Sequence, residues 1–168
     1  MKTTDFARYL TDYLSIYLPG QRNLSSNTIA SYRDTFKLLL VFCEHEKGIS
    51  PENLTLAHMN DELIIAFMMW IETTRKCGIT TRNQRLAAIH AFFRYIQAET
   101  PERLLMNQRI LAIPFKKTGK PAVSYLTTEA LESVLKQTDT NTRSGRRDLL
   151  LLTILYDSGA RVSELTDL

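Results

Sequence analysis

From Asp5 to Ile96 the apolar residues recur at spacings of three and four, with no alternating stretch among them. That regularity restricts this part of the chain to helices packed on helices. Phe6, Tyr9, Leu10, Tyr13, Leu14 and Tyr17 form one stripe, which predicts a helix over 5–18 ended by Pro19 and Gly20. Ser25 or Ser26 caps a longer second helix through Ile29, Tyr32, Phe36, Leu39, Leu40 and Cys43, closed by Gly48. Residues 49–59 read as a loop with a short turn around SPENL. Asn60 or Asp61 opens a third helix through Leu63, Ile64, Phe67, Met68 and Ile71, which stops at Cys77 and Gly78. Thr80 or Thr81 caps a fourth, with Leu86, Ile89, Phe93 and Ile96 on its inner face. The fold class is mainly α, and the first hundred residues form a four-helix bundle.

Beyond Thr100 the periodicity fails. Three prolines (Pro101, Pro114, Pro121) and the basic run KKTGK predict a linker over 101–125, with room for a short helix around 104–110. Periodicity then returns in LTTEALESVLKQ, where Leu126 is placed as a hydrophobic staple and Thr127 as the cap. RRDLLLLTILYDSG follows as an apolar helix expected to be buried on most sides. The chain therefore divides into 1–100, a basic linker at 101–125, and a second helical region at 126–168. Neither an internal repeat nor a low-complexity tract interrupts it.

Much chemistry is excluded at this level. No apolar run approaches the roughly 20 residues that span a bilayer, and MKTTDFARYL lacks the apolar core of a secretory signal. Cys43 and Cys77 make no CxxC, and no histidine lies near them at ligand spacing. No metal or cofactor is expected, and a reducing cytoplasm is the expected compartment. Gly-rich phosphate loops, GxSxG and HExxH are all missing, and His45, His58 and His90 stand far apart.

Charge is distributed unevenly. Between Arg75 and Lys120 there are ten basic residues against Glu99 and Glu102, a segment of +8 inside a chain of net +3. On charge alone a polyanion-facing patch and a set of solvated helix faces are equally good explanations. Two helix openings tilt the balance. Thr80, Thr81, Arg82, Asn83 and Arg85 crowd the first turns of the fourth helix, where free backbone N–H groups and the helix dipole favour an anion. Arg82 and Arg85 are three apart, and either can grip a phosphate or a guanine edge bidentately. Asn27, Thr28, Ser31 and Arg33 give the second helix small polar groups suited to a sugar-phosphate backbone. Lys116, Lys117 and Lys120 extend the basic set into the linker. At the end of the chain, GARVSEL sets Arg161 at a helix start behind Gly159, with Glu164 one turn on. A guanidinium held there suits the extra charge of a phosphodiester under in-line attack, and Glu164 is placed to orient it. The plainer alternative is a surface pair worth about 0.2–0.5 kcal/mol.

GARVSEL, preceded by RRDLLLLTILYDS and LTTEALESVLKQ, resembles the opening of the catalytic domain of tyrosine recombinases, the phage-integrase and Xer-like group. LSSNTIASYRDTFKLLLVF and TTRNQRLAAIHAFFRYI are similar to the second and last helices of that family's SAM-like core-binding domain. The resemblance implies a SAM-like four-helix bundle followed by the first helices of an incomplete catalytic domain. It makes Arg161 the first of two arginines that clamp the scissile phosphate, with Glu164 its acidic companion. The implied partner is double-stranded DNA, a recombination site of inverted repeats, with self-association between protomers allowed. The family's lysine hairpin, His-x-x-Arg pair and nucleophilic tyrosine do not follow within 168 residues. The expectation is thus a truncated recombinase that binds DNA without cutting it, unless a second polypeptide supplies the rest. Two other readings stay open: a helix-turn-helix regulator, because ILYDSGARVSELTDL mimics a turn glycine before a recognition helix, and an all-helical interaction adaptor.

Overall fold

The computed structural model describes residues 3–119 and 125–166, and among these every regular element is helical. They fall into two compact units, divided at 119/120.

The first unit begins with α1 (Asp5–Asp12), capped by the Thr4 hydroxyl, which accepts from the Ala7 N–H. The helix does not stop at Pro19 as the sequence predicts. Over Tyr13–Gln21 it widens into an i→i+5 winding that carries Pro19 inside it, and the Arg22 N–H closes back on the Tyr17 carbonyl. A proline ring collides with the carbonyl four residues back in an α-helix; the wider turn relieves that contact. Then α2 (Ser26–Lys47) starts on the Ser25 cap and ends at Gly48 in the left-handed region. Two short 3₁₀ turns, Pro51–Asn53 and Leu56–His58, cross to α3 (Asp61–Thr73), which the Asn60 carboxamide caps. α3 ends four residues short of Cys77, because Lys76 takes a left-handed φ of 50° and turns the chain away. α4 (Ile79–Glu99) is capped by Gly78 with no side chain, so Thr80 and Thr81 lie within its first turn rather than preceding it.

The short helix expected around 104–110 is present, and the linker expectation needs correcting only in that this stretch packs into the bundle. A 3₁₀ turn at Pro101–Arg103 leads into α5 (Leu104–Leu111), whose Ile110 is fully buried, as is Ile113 nearly so. α5 packs on α3 and α4 as a fifth helix of the bundle. Of its five apolar residues only Ile110 is buried, joined by Asn107, so burial here follows packing rather than the apolar pattern.

Phe92 is the hub of the core. Its ring meets Phe6 at 5.8 Å, Tyr13 at 5.2 Å, Phe36 at 5.0 Å and Phe93 at 5.4 Å, all edge-to-face. That geometry suits the ring quadrupoles and joins α1, the wide turn, α2 and α4. A second aromatic group, Phe42, Phe67 and Trp70, joins α2 to α3, with the indole N–H donating to Glu46 at 3.1 Å.

In the second unit, α6 (Thr128–Lys136) starts on Thr127, whose hydroxyl accepts from the Ala130 N–H. Leu126 is exposed and forms no staple. α7 (Arg143–Ser158) begins three residues earlier than RRDLLLL suggests, on a Thr142 cap. Gly145 is indispensable there: a Cβ would sit 2.0 Å from the Asp139 carbonyl oxygen. After Gly159, at φ 64°, comes the single-turn helix α8 (Val162–Thr166). The expectation of a buried α7 is not met: Gly145 is its one buried residue, and Leu150 and Tyr156 are more than half exposed. With no apolar side chain of the described second unit buried, local opening there costs little. Limited proteolysis should therefore cut 125–166 well before the bundle; simultaneous loss of both units would contradict this.

Candidate nucleic-acid interface

The opening turns of α2 and α4 lie side by side. Between them runs an open groove of about 350 Å³, lined by Asn27, Ala30, Ser31, Asp34, Thr35, Thr81, Gln84 and Arg85. Four of the residues singled out in the sequence, Asn27, Ser31, Thr81 and Arg85, thus come together from helices some fifty positions apart. Arg85 is half-buried, and its Nε is screened from water without a partner among the described residues. Asp34 adds a negative charge at the groove, and its nearest cation is Lys37 at 3.8 Å. Other residues of the set stay outside. Thr28 is engaged locally, its hydroxyl 3.0 Å from that of Ser25. Arg33 and Thr80 are exposed but do not line the groove.

Arg82 and Asn83 do something different from what their sequence position suggests. The Arg82 side chain is buried, 6% exposed, and its guanidinium donates to the Pro114 carbonyl and to Asn83 Oδ1, both at 3.1 Å. Asn83 grips the backbone of Lys116 in both directions, donating to its carbonyl at 2.8 Å and accepting from its N–H at 3.1 Å. Lys116 Nζ meets both oxygens of Glu72 on α3, at 2.7 and 2.8 Å. His90 completes the set: Nε2–H donates to the Ile110 carbonyl at 3.1 Å, and the ring stands edge-on to Phe115. Residues 110–116 are thereby strapped along α4. Arg82 cannot reach a DNA phosphate from this position, and Lys116 is already paired with a carboxylate. The reason lies in tertiary structure: Arg82 stands only about 60° from Arg85 around the helix, but Arg82 and Asn83 engage residues 114–116, a segment that only folding delivers. Lys117 remains exposed, and Lys120 lies outside the described residues.

In the second unit, Glu164 closes on Arg161 twice. Its Oε2 accepts from the Arg161 backbone N–H at 2.8 Å, which is half of a capping box, and its Oε1 accepts from the guanidinium Nη1 at 3.0 Å. The arginine is otherwise open to solvent, with a side chain 82% exposed. An exposed pair of this kind contributes roughly 0.3–0.5 kcal/mol to stability; its weight lies in orientation. Among the described residues no group of His, Cys, Asp and Glu is arranged to hold a metal, and no helix is long and apolar enough to cross a membrane.

Residues 10–100 match the family model for the phage integrase N-terminal SAM-like domain. Among relatives, a Sinorhizobium fredii protein named integrase/recombinase y4rC is 39% identical over 167 residues, covering 99% of this chain and 50% of that protein. A second from the same organism, integrase/recombinase y4rD, is 37% identical over 160 residues, covering 95% and 57%. Tyrosine recombinase XerD of Listeria monocytogenes is 28% identical over 161 residues, covering 95% and 50%. The chain spans about half the length of these relatives. No solved structure matches it.

Two measurements test the strap. Asn83→Ala should raise the hydrogen-exchange rate of the Lys116 amide at least tenfold while the α4 amides keep their protection; equal exchange in both proteins would show that the Asn83 contacts do not hold. For His90, burial depresses the pKa below the ordinary 6.5, nearby Arg94 and Arg82 add to the effect, and the Ile110 carbonyl opposes it. As pH falls through 6.5 the unfolded chain takes up this proton before the folded one, so stability of the first unit should decline below that pH. His90→Gln, which keeps an N–H donor, should flatten the decline in urea titrations run between pH 7 and 5.

Proposed function

The chain belongs to the tyrosine recombinase family, the phage-integrase group, and from that premise we propose that its first unit is a duplex-DNA-binding module of a site-specific recombinase. The observation that carries this reading is the groove between α2 and α4, where Asn27, Ser31, Thr81 and Arg85 converge. Small hydroxyl and amide groups position a sugar-phosphate backbone, and Arg85 supplies the permanent charge and the bidentate donor set. Lys117 adds an exposed cation elsewhere on the unit, where it contributes to general attraction.

In the second unit Arg161 acts as the first of the family's two phosphate-clamping arginines, held by Glu164. A guanidinium fixed at its own backbone by a neighbouring carboxylate presents a constant donor geometry to a scissile phosphate. The part proposed for these residues is DNA binding; covalent strand transfer needs an attacking hydroxyl and its activating groups together in one site. The substrate is a recombination site of inverted repeats, occupied by more than one protomer, and the working compartment is the cytoplasm.

Duplex affinity should fall with salt by about 0.9 decade per decade for each phosphate neutralised. Arg85→Ala should weaken binding and reduce that slope by about one contact, whereas Arg161→Ala should change both less, because its guanidinium is already paired with Glu164. A salt-independent affinity, or equal losses from the two substitutions, would overturn the assignment of the groove.

A further inference from the structure

Away from the α2–α4 groove, the wide turn after α1 builds a second concavity. Its lining is Tyr13, Tyr17, Leu18, Arg22, Leu24, Tyr32, Ala91 and Arg94, and it measures about 110 Å³. Tyr13 forms its floor: the residue is 0% exposed, and its hydroxyl has no hydrogen-bond partner among the described residues. A buried phenol without a partner is costly and calls for an acceptor or donor from outside the chain.

The charge of the cleft is one-sided. Arg22 and Arg94 line it and no carboxylate does. Neither guanidinium makes an ion pair among the described residues, although Asp12 and Glu99 border the adjoining groove that Arg94 shares. Leu18, Leu24 and Ala91 supply apolar walls, which strengthen the attraction of a cation for an anion beside it.

The winding explains why this cleft exists. Arg22 follows Tyr13 by nine positions; in an α-helix of about 3.6 residues per turn that advance is two and a half turns, which would send Arg22 to the far side. In the wider i→i+5 winding the same advance makes about two turns, so Tyr13, Tyr17, Leu18 and Arg22 share one face. Such windings recur at functional sites. Arg22 also stands close enough to Tyr13 to oppose the rise that burial, Tyr32 and Tyr17 impose on the phenol's pKa.

We propose that this cleft is a seat for a single phosphate group, gripped by Arg22 and Arg94 and floored by the Tyr13 hydroxyl. Two guanidiniums and a phenol offer more donors than a carboxylate can accept, and they match the charge and the oxygen count of a phosphate. Nearby hydroxyls of Tyr17 and Tyr32 are available to share its remaining oxygens. The phosphate can come from a polynucleotide backbone or from a free phosphate compound.

The test uses the whole chain with inorganic phosphate, acetate and chloride at matched ionic strength, read by thermal melting of the first unit and by ³¹P line broadening. Phosphate should stabilise saturably, acetate less, and chloride not at all. Tyr13→Phe removes only an unpartnered hydroxyl, so the protein should fold normally while its phosphate affinity drops about fivefold. Arg22→Ala and Arg94→Ala should each lower affinity about tenfold. Phosphate acting no better than chloride, or an Arg22→Ala/Arg94→Ala double variant with wild-type affinity, would overturn the proposal. Duplex titrations of the double variant then name the source: a smaller salt slope identifies a backbone phosphate, and an unchanged slope with intact phosphate stabilisation of the wild type identifies a free one. Because the phosphate measurement contains no DNA, its failure would leave the DNA-binding reading of the α2–α4 groove standing.

Discussion

The ring of Phe92 is the contact on which the first unit depends. Four other aromatic rings meet it edge-to-face, one from α1, one from the wide turn, one from α2 and one from its own helix. Removing such a side chain typically costs about 3–5 kcal/mol, a large share of what a domain of this size has in total. Both concavities described above are consequences of that packing. Thr81 and Arg85 lie two to three turns before Phe92 on the same side of α4 and meet the start of α2, while Ala91 and Arg94 border the wide turn. Both concavities therefore border one helix whose position is fixed by aromatic contacts.

The same helix shows why arginines of similar sequence context take different roles. Arg82 and Arg85 are three residues apart in one motif, yet one is buried beneath the strap and the other lies in an open groove. An arginine with a carbonyl, a carboxamide and an apolar cover around it is a structural cation; it holds residues 110–116 against α4. Arg85 lies half-buried in a groove lined by hydroxyl and amide side chains and makes no contact of that kind among the described residues. The distinction comes from what the rest of the chain brings to each arginine.

Much of this architecture is legible in the sequence. The apolar stripes locate α2 and α3 to within a few residues, and the caps at Ser25, Asn60 and Thr127 sit where hydroxyl or carboxamide side chains precede a stripe. The phage-integrase likeness of the helices around Thr28 and Asn83 is matched by the family model over residues 10–100. What escapes is everything set by tertiary partners. α5 is foreseen as a short helix, but which of its five apolar residues faces inward depends on the α3–α4 surface and on His90, which donates to the Ile110 carbonyl. The continuation of the first helix through Pro19 contradicts a dependable stop signal, because the signal describes α-helices and this turn is wider. The burial of Arg82 is invisible for the same reason, since Pro114 stands 32 positions away.

The arrangement at Arg161 carries a consequence for any anion that arrives there. Its guanidinium already has a resident counter-ion, and the resident is tethered: one oxygen of Glu164 stays on the backbone N–H while the other faces the guanidinium. Only one of the guanidinium's nitrogens is taken by the carboxylate, and the side chain is otherwise open to solvent. An incoming anion can therefore meet the remaining N–H donors while Glu164 stays on the helix end. The carboxylate limits which edge of the guanidinium is offered rather than whether one is offered.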